Sequence, residues 1–276
     1  NSALDRVVEV SGGGIDIVFS ASSHTLGNGV EQLTLTGTGN TSAIGNAASN
    51  LMVGNSGANV LNGGDGSDTV SYEAATTAVG VNLATGIATG GGGSDTLISI
   101  ENLIGTGLAD SLVGNGSANT LTAGLGADTV TGGAGIDTFV FTTRSSADTV
   151  TDFVSGTDRL RFSQAGVRVG DGDTVVDGAV TVAGPGGFAA SAELVIVSGD
   201  AASLSRADAA AAIGNASTFY DAGSTALFVV DNGVSTGLYR FTSSSGNVVV
   251  SADELTLIGI LQGTASTAIG DYSFIS

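Results

Sequence analysis

Gly132-Gly133-Ala134-Gly135-Ile136-Asp137-Thr138-Phe139-Val140 is a nine-residue unit, glycine-rich for six positions and then apolar. The three units before it start at Gly105, Gly114 and Ala123, each nine residues after the last. Three more run consecutively from Gly45, Gly54 and Gly63, and isolated copies occupy residues 11–19 and 90–98. A period held this strictly points to a repeat architecture. Glycine lacks a Cβ and tolerates positive φ, so the first six positions can fold as a tight turn with inward carbonyls. The last three supply one core residue each: Leu61, Val70, Leu97, Leu112, Leu121, Val130 and Phe139. A single unit cannot bury that residue, whereas stacked units bury a continuous column.

The sixth position is always Asp or Asn: Asp16, Asn50, Asn59, Asp68, Asp95, Asp110, Asn119, Asp128 and Asp137. Calcium takes six to eight oxygens in a flexible geometry, which carbonyls from Gly positions and one carboxylate per turn can provide. Magnesium prefers waters and strict octahedra, and zinc is disfavoured by the absence of Cys and the single His24.

The pattern is GGxGxDxUx, and it resembles the RTX (repeat-in-toxin) calcium-binding repeats of proteins exported by bacterial type I systems. That resemblance implies a right-handed parallel β-roll in which two nonapeptides make one coil. Turns n and n+2 then share an edge, with several Ca2+ ions between them. It pairs Asp110 with Asp128, Asn119 with Asp137, and Asn50 with Asp68, the first pair binding most tightly because it has two carboxylates. Gly63, Gly105, Gly107, Gly124, Gly126, Gly133 and Gly135 are the expected carbonyl ligands. Asn59 has no partner in register, and those of Asp16 and Asp95 cannot be read from spacing.

Three segments interrupt the period. Residues 25–37 and 99–104 read as extended coils, and 72–89, with Val79, Val81 and Leu83 alternating, as an inserted strand or hairpin. The repeat stops after Phe141. Residues 142–162 resemble the segment that closes such rolls, where Asp148, Asp152 and Asp158 either hold a terminal calcium or are solvated turn residues. The expected domains are a roll at 1–162 and a β-rich C-terminal module at 163–276. In the module, residues 194–197, 226–230, 238–242 and 247–250 read as strands. Ser205 caps one short helix ending at Gly214, and the capping box 251–254 starts a second over 255–261. Asp171-Gly172-Asp173 reads as a hairpin tip.

The chain carries 26 acidic residues against seven basic ones, all arginine, for a net charge of −19. Such a field repels nucleic acid and anionic membranes and attracts cations. No apolar run is long enough for a spanning helix, so no membrane insertion is expected. The chain starts at Asn1 with nothing resembling a leader, which suggests a fragment or processed product. There is no lysine for a P-loop or Schiff base, no acid beside His24, and no nucleophile elbow is expected. The reading is a non-catalytic, calcium-dependent structural and secretion module of an extracellular or cell-surface protein, an adhesin or S-layer-like protein. Its expected partners are the type I machinery, with cell-surface polysaccharide or self-association beyond that. The alternative is the calcium-binding tail of a secreted protease, lipase or polysaccharide-active enzyme. A carbohydrate-binding module is weakest, with no Trp and four Tyr.

Overall fold

A triplet with one apolar residue between two polar ones makes a short strand whose middle side chain points inward, and the repeats form such strands. The structure is a computed structural model describing residues 14–91, 93–143 and 146–276. The first three residues of the unit at 11–19, and Gly92, lie outside the described residues. The chain divides into two units, one of residues 1–128 with 133–135, the other of 129–132 with 136–276.

In chain order the first unit holds β1 (Ile17–Ser20), β2 (His24–Thr25), β3 (Gln32–Leu35), β4 (Ser42–Ile44), β5 (Leu51–Val53), β6 (Val60–Asn62) and β7 (Thr69–Ser71). It continues with β8 (Val79–Asn82), β9 (Ile87–Gly90), β10 (Gly93–Ile98), β11 (Asn102–Ile104), β12 (Ser111–Val113) and β13 (Thr120–Thr122). Strands through β7 alternate between two sheets, as a coiling chain requires. One sheet runs β1-β3-β5-β7-β11-β13, parallel throughout. The other runs β2-β4-β6-β10-β9-β8-β12. Leu51 lies opposite Thr69, and Ser42 opposite Val60, so two nonapeptides make one coil. The middle residues Leu33, Met52, Leu61, Val70, Leu103, Leu112 and Leu121 are buried.

Residues 72–89 supply a hairpin, not a coil. β8 and β9 pair antiparallel, and β9 pairs antiparallel with β10. The chain then resumes its register, because β10 pairs parallel with β6 and Val60 faces Thr96. The extended coils expected at 25–37 and 99–104 contribute β3 and β11.

The second unit holds β14 (Thr129–Thr131), β15 (Thr138–Phe141), β16 (Asp148–Val150), β17 (Arg159–Ser163), β18 (Val180–Val182) and β19 (Leu194–Val197). After α1 (Arg206–Ile213) come β20 (Thr225–Asp231), β21 (Thr236–Thr242), β22 (Leu255–Leu261) and β23 (Tyr272–Ile275). One sheet is β15-β17-β23 and the other β18-β19-β20-β21-β22-β16-β14. The last strands therefore add to the sheets that the repeats begin, β22 on β16 and β23 on β17. Larger side chains fill the interior here: Phe141 stacks on Phe162 at 5.0 Å, and Phe162 on Tyr272 at 6.2 Å. Val195, Phe228, Tyr239, Phe241 and Ile213 belong to a second buried cluster. Ser205 accepts from Asp208 N–H and Gly214 ends α1, as expected.

Two expectations fail. The capping box at Ser251 forms, but it starts only a single 3₁₀ turn, Ala252–Glu254, and Leu255–Leu261 is a strand. The backbone of Leu255–Leu261 pairs with β21 on one side and β16 on the other, so tertiary pairing overrides the local helix start. Residues 247–250 make only an isolated bridge, Val249 to Asn215.

Candidate metal centre

Asp95 lies within β10, but in the two consecutive runs the sixth-position residue immediately precedes a strand, so its side chain is held at the edge between coils. Its backbone N–H donates to the acid of the next coil along. Asn50 N–H reaches Asp68 Oδ1 at 2.7 Å, and Asp110 N–H reaches Asp128 Oδ1 at 2.7 Å. In the second unit Asp137 N–H reaches Asp158 Oδ1 at 3.0 Å. Asn119 lies in the first unit and Asp137 in the second; Asn119 Nδ2 donates to Glu101 O. Asn50, Asp68, Asp95, Asp110, Asn119, Asp128 and Asp137 are all buried.

Asn59 and Asp95 are joined, contrary to the expectation that Asn59 lacks a partner. Asn59 N–H donates to Asp95 Oδ1 at 2.9 Å across 36 residues, because the hairpin returns the chain to register. Asp95 Oδ2 accepts from the Tyr72 hydroxyl at 3.0 Å. Burial and the Asp95 charge push the Tyr72 phenol up and keep it protonated. A phenol therefore staples this turn. Tyr72→Phe leaves a buried carboxylate oxygen without a donor, a cost of about 1–3 kcal/mol. A lower urea midpoint in saturating calcium is expected; an unchanged midpoint would show that the bond contributes nothing.

The turns of the two consecutive runs are of two kinds. In the first, position two is Asn or Thr, and its side chain accepts from the N–H two residues on: Asn46 from Ala48, Asn55 from Gly57, Thr106 from Leu108, Asn115 from Ser117. The sixth side chain accepts in turn from the position-two N–H, as with Asn46 to Asn50, Asn55 to Asn59, Thr106 to Asp110 and Asn115 to Asn119. These turns are sealed by hydrogen bonds. Asp110 is engaged on both oxygens, by Thr106 N–H and Val79 N–H. It thus faces Asp128 through its own N–H, not as one of two equal carboxylates.

In the second kind, positions two and four are glycines at positive φ: Gly64 and Gly66 (97° and 123°), Gly124 and Gly126 (104° and 115°), Gly133 and Gly135 (100° and 124°). A Cβ on any of them would strike a carbonyl of the neighbouring turn: Asn46, Ala48, Thr106, Leu108, Asn115 or Ser117. The first-position glycines make a cradle of oxygens. A Cβ on Gly45 would meet Gly63 O and Asn50 Oδ1, and one on Gly105 would meet Ala123 O and Asp110 Oδ2. Gly107, by contrast, has only ordinary contacts with Leu125. Asp68 Oδ2 is buried with no hydrogen-bond donor. Burial, with Glu101 and Asp65 adding to it, pushes the Asp68 carboxyl up.

The donor chemistry fits calcium. Among the described residues no three His, Asp or Glu side chains converge into a metal cluster, so a cation here would be held largely by backbone carbonyls, as hard cations accept. Asp16 receives no turn partner by spacing, but its N–H donates to Glu31 Oε2 at 3.0 Å. Asp152 Oδ1 accepts from Gly132 N–H, and Asp158 Oδ2 from Val154 N–H; Asp148 is buried at the start of β16. Asp171 and Asp173 form successive turns through Asp173 N–H and Val175 N–H.

Glu31, Glu101, Tyr72 and Asp271 are the residues that repeat reading misses. Asp271 accepts from Ser155 Oγ and from Gly156 and Ala268 N–H. A Glu directly before an apolar strand, in Glu31-Gln32-Leu33 and Glu101-Asn102-Leu103, is the signal that could have found two of them. One G-x-S-x-G spacing does occur, at Gly233-Val234-Ser235-Thr236-Gly237. It joins antiparallel β20 and β21, not the strand and helix of a nucleophile elbow, and Ser235 Oγ accepts from Gly263 N–H.

A family model for the RTX calcium-binding nonapeptide repeat, in four copies, matches residues 35–74 and 104–139. These are the two consecutive runs; the unit at 90–98 and the C-terminal segment lie outside the match. No curated protein matches the chain.

Proposed function

Because the chain carries RTX calcium-binding nonapeptide repeats, we propose that it is a calcium-dependent structural and secretion module of a protein exported by a type I system and held at the cell surface. The repeats themselves are a structural calcium-binding element, not a catalytic one. The observation that carries the reading is Asp68, a fully buried carboxylate with one oxygen lacking a donor, beside glycine positions crowded by carbonyls. Bound calcium would supply positive charge between turns, offsetting burial of those carboxylates. Asp68, Asp128, Asp137 and the surrounding carbonyls would hold it.

Among the described residues no helix is long and apolar enough to cross a membrane. The acidic field and the absence of lysine suit an adhesin or S-layer-like surface protein in a calcium-rich exterior. We assign residues 142–162 as the closing segment of the roll and residues 163–276 as a β-rich C-terminal module that carries the export signal. Cutting the chain at Ser251 would remove β22, the strand between β21 and β16, so truncation would damage the module as well as any signal. Export is better tested with the full chain in a bacterium carrying a type I system. The reading expects the chain in the medium only when the transporter is active; equal export without it would overturn the secretion assignment.

A further inference from the structure

Residues 99–104 are a nonapeptide shortened to six. The unit at 90–98 should be followed by one starting at Ser99, yet the next begins at Gly105. The remaining turn, Ser99-Ile100-Glu101, runs from β10 to β11 and stacks on the turn from Gly63 to Asp68. Asn102 lies opposite Thr69 in the parallel register. Two contacts show which positions the short turn retains. Asp68 N–H donates to Glu101 Oε2 at 2.8 Å, the bond that Asn50 N–H makes to Asp68 and Asp110 N–H makes to Asp128. Ser99 O faces the Cα of Gly63 as Gly63 O faces Gly45 and Ala123 O faces Gly105. Ser99 therefore stands in the first position and Glu101 in the sixth. The longer Glu side chain spans what the missing residues would have filled. Ser99 also holds a φ of 50°, a left-handed conformation that a non-glycine residue adopts at a cost.

We infer that Glu101 completes a divalent-cation site with Asp68, between the turn from Gly63 and the shortened turn. The site is not made by two nonapeptides, and it rests on the calcium reading above. Asp68 is fully buried, and its Oδ2 has no donor. That atom and Ser99 O both crowd the space where a Cβ on Gly63 would lie. The turn itself cannot satisfy Oδ2, because position two is Gly64 at φ 97°, whereas in the sealed turns that N–H reaches the sixth side chain. Asp95, the comparable carboxylate on the other edge, has Tyr72 instead. Asp68 has a second acid beside it, Glu101, and a divalent cation would neutralise the pair.

The test counts calcium per chain by equilibrium dialysis and metal analysis, together with the calcium midpoint of folding by circular dichroism. Glu101→Gln keeps an acceptor for Asp68 N–H and removes the charge. It should bind one ion fewer than the native chain, with the folding midpoint raised at least tenfold. Asp68→Asn should lose the same ion, and the double variant should lose no more than either single one. An unchanged count for Glu101→Gln, two ions lost by the double variant, or variants that fail to fold at any calcium level would overturn this site. A native chain that takes up calcium separates those outcomes from failure of the broader reading, which a native chain binding none would sink.

Discussion

In a calcium chelator the chain is expected to lose most of its β circular dichroism and to regain it in millimolar calcium. Each repeat contributes a three-residue strand with one buried side chain, while the turns bury carboxylates at Asp68, Asp95, Asp110, Asp128 and Asp137. Burial of like charges without a counter-ion opposes folding, and ordering each residue costs about 1–2 kcal/mol at 25 °C. Metal binding and folding are then one equilibrium. Extracellular sites of this kind bind at about 10⁻⁴–10⁻³ M, so millimolar calcium should suffice. The ion-free chain should also show a pH signature. Burial raises the carboxyls of Asp68 and Asp95, so the fold favours their protonated forms. Their contribution is present below the unfolded carboxylate range and is lost as pH rises through the raised folded values. In chelator, acidification from neutral pH toward 4 should therefore recover β signal. A full β spectrum in chelator at neutral pH would overturn the calcium requirement.

The largest single-residue effect is expected at the positive-φ glycines. Gly124→Ala and Gly126→Ala place a Cβ at φ 104° and 115°, against the carbonyls of Thr106 and Leu108. Strained backbone costs about 1–3 kcal/mol, and steric overlap adds about 1–3 kcal/mol. Each variant should lose about 2–6 kcal/mol in calcium, measured by urea unfolding. Gly116→Ala is the control: its Cβ would enter open space, and surface changes of this kind stay within about 0.5 kcal/mol. Equal losses at Gly116 and Gly126 would show that glycine content matters there, not backbone conformation.

The contrast between those glycines shows what the repeat pattern conveys. Period nine and the single apolar residue fix strand, coil and core, so Leu61 or Leu121 could be placed without coordinates. The pattern treats all turns alike, however. Asn46 and Gly64 hold the same position, yet one seals its turn with a side chain and the other leaves an oxygen of buried Asp68 without a donor. Pairing across the hairpin is less legible still, since Asn59 and Asp95 are brought together by β10, which pairs parallel with β6 while β9 and β8 follow beside it in the same sheet. Glu101 escapes the pattern because three residues are missing ahead of it. At 255–261 the local capping signal is correct, but the strand depends on distant neighbours. Gly259 matters there because a Cβ would come within 2.7 Å of the Phe141 ring.

The hairpin also carries a record of frame. Residues 72–89 are 18 long, the length of one coil, and the unit at Gly90 stands three periods after the one at Gly63. No residue has to be gained or lost to turn a pair of repeats into this hairpin. The strand that follows, β10, pairs with β6 in phase. A solenoid built on a fixed count can thus hold a hairpin in place of one coil and keep its register. The three-residue shortfall before Glu101 does change the count, and the longer acid makes up the difference by reach.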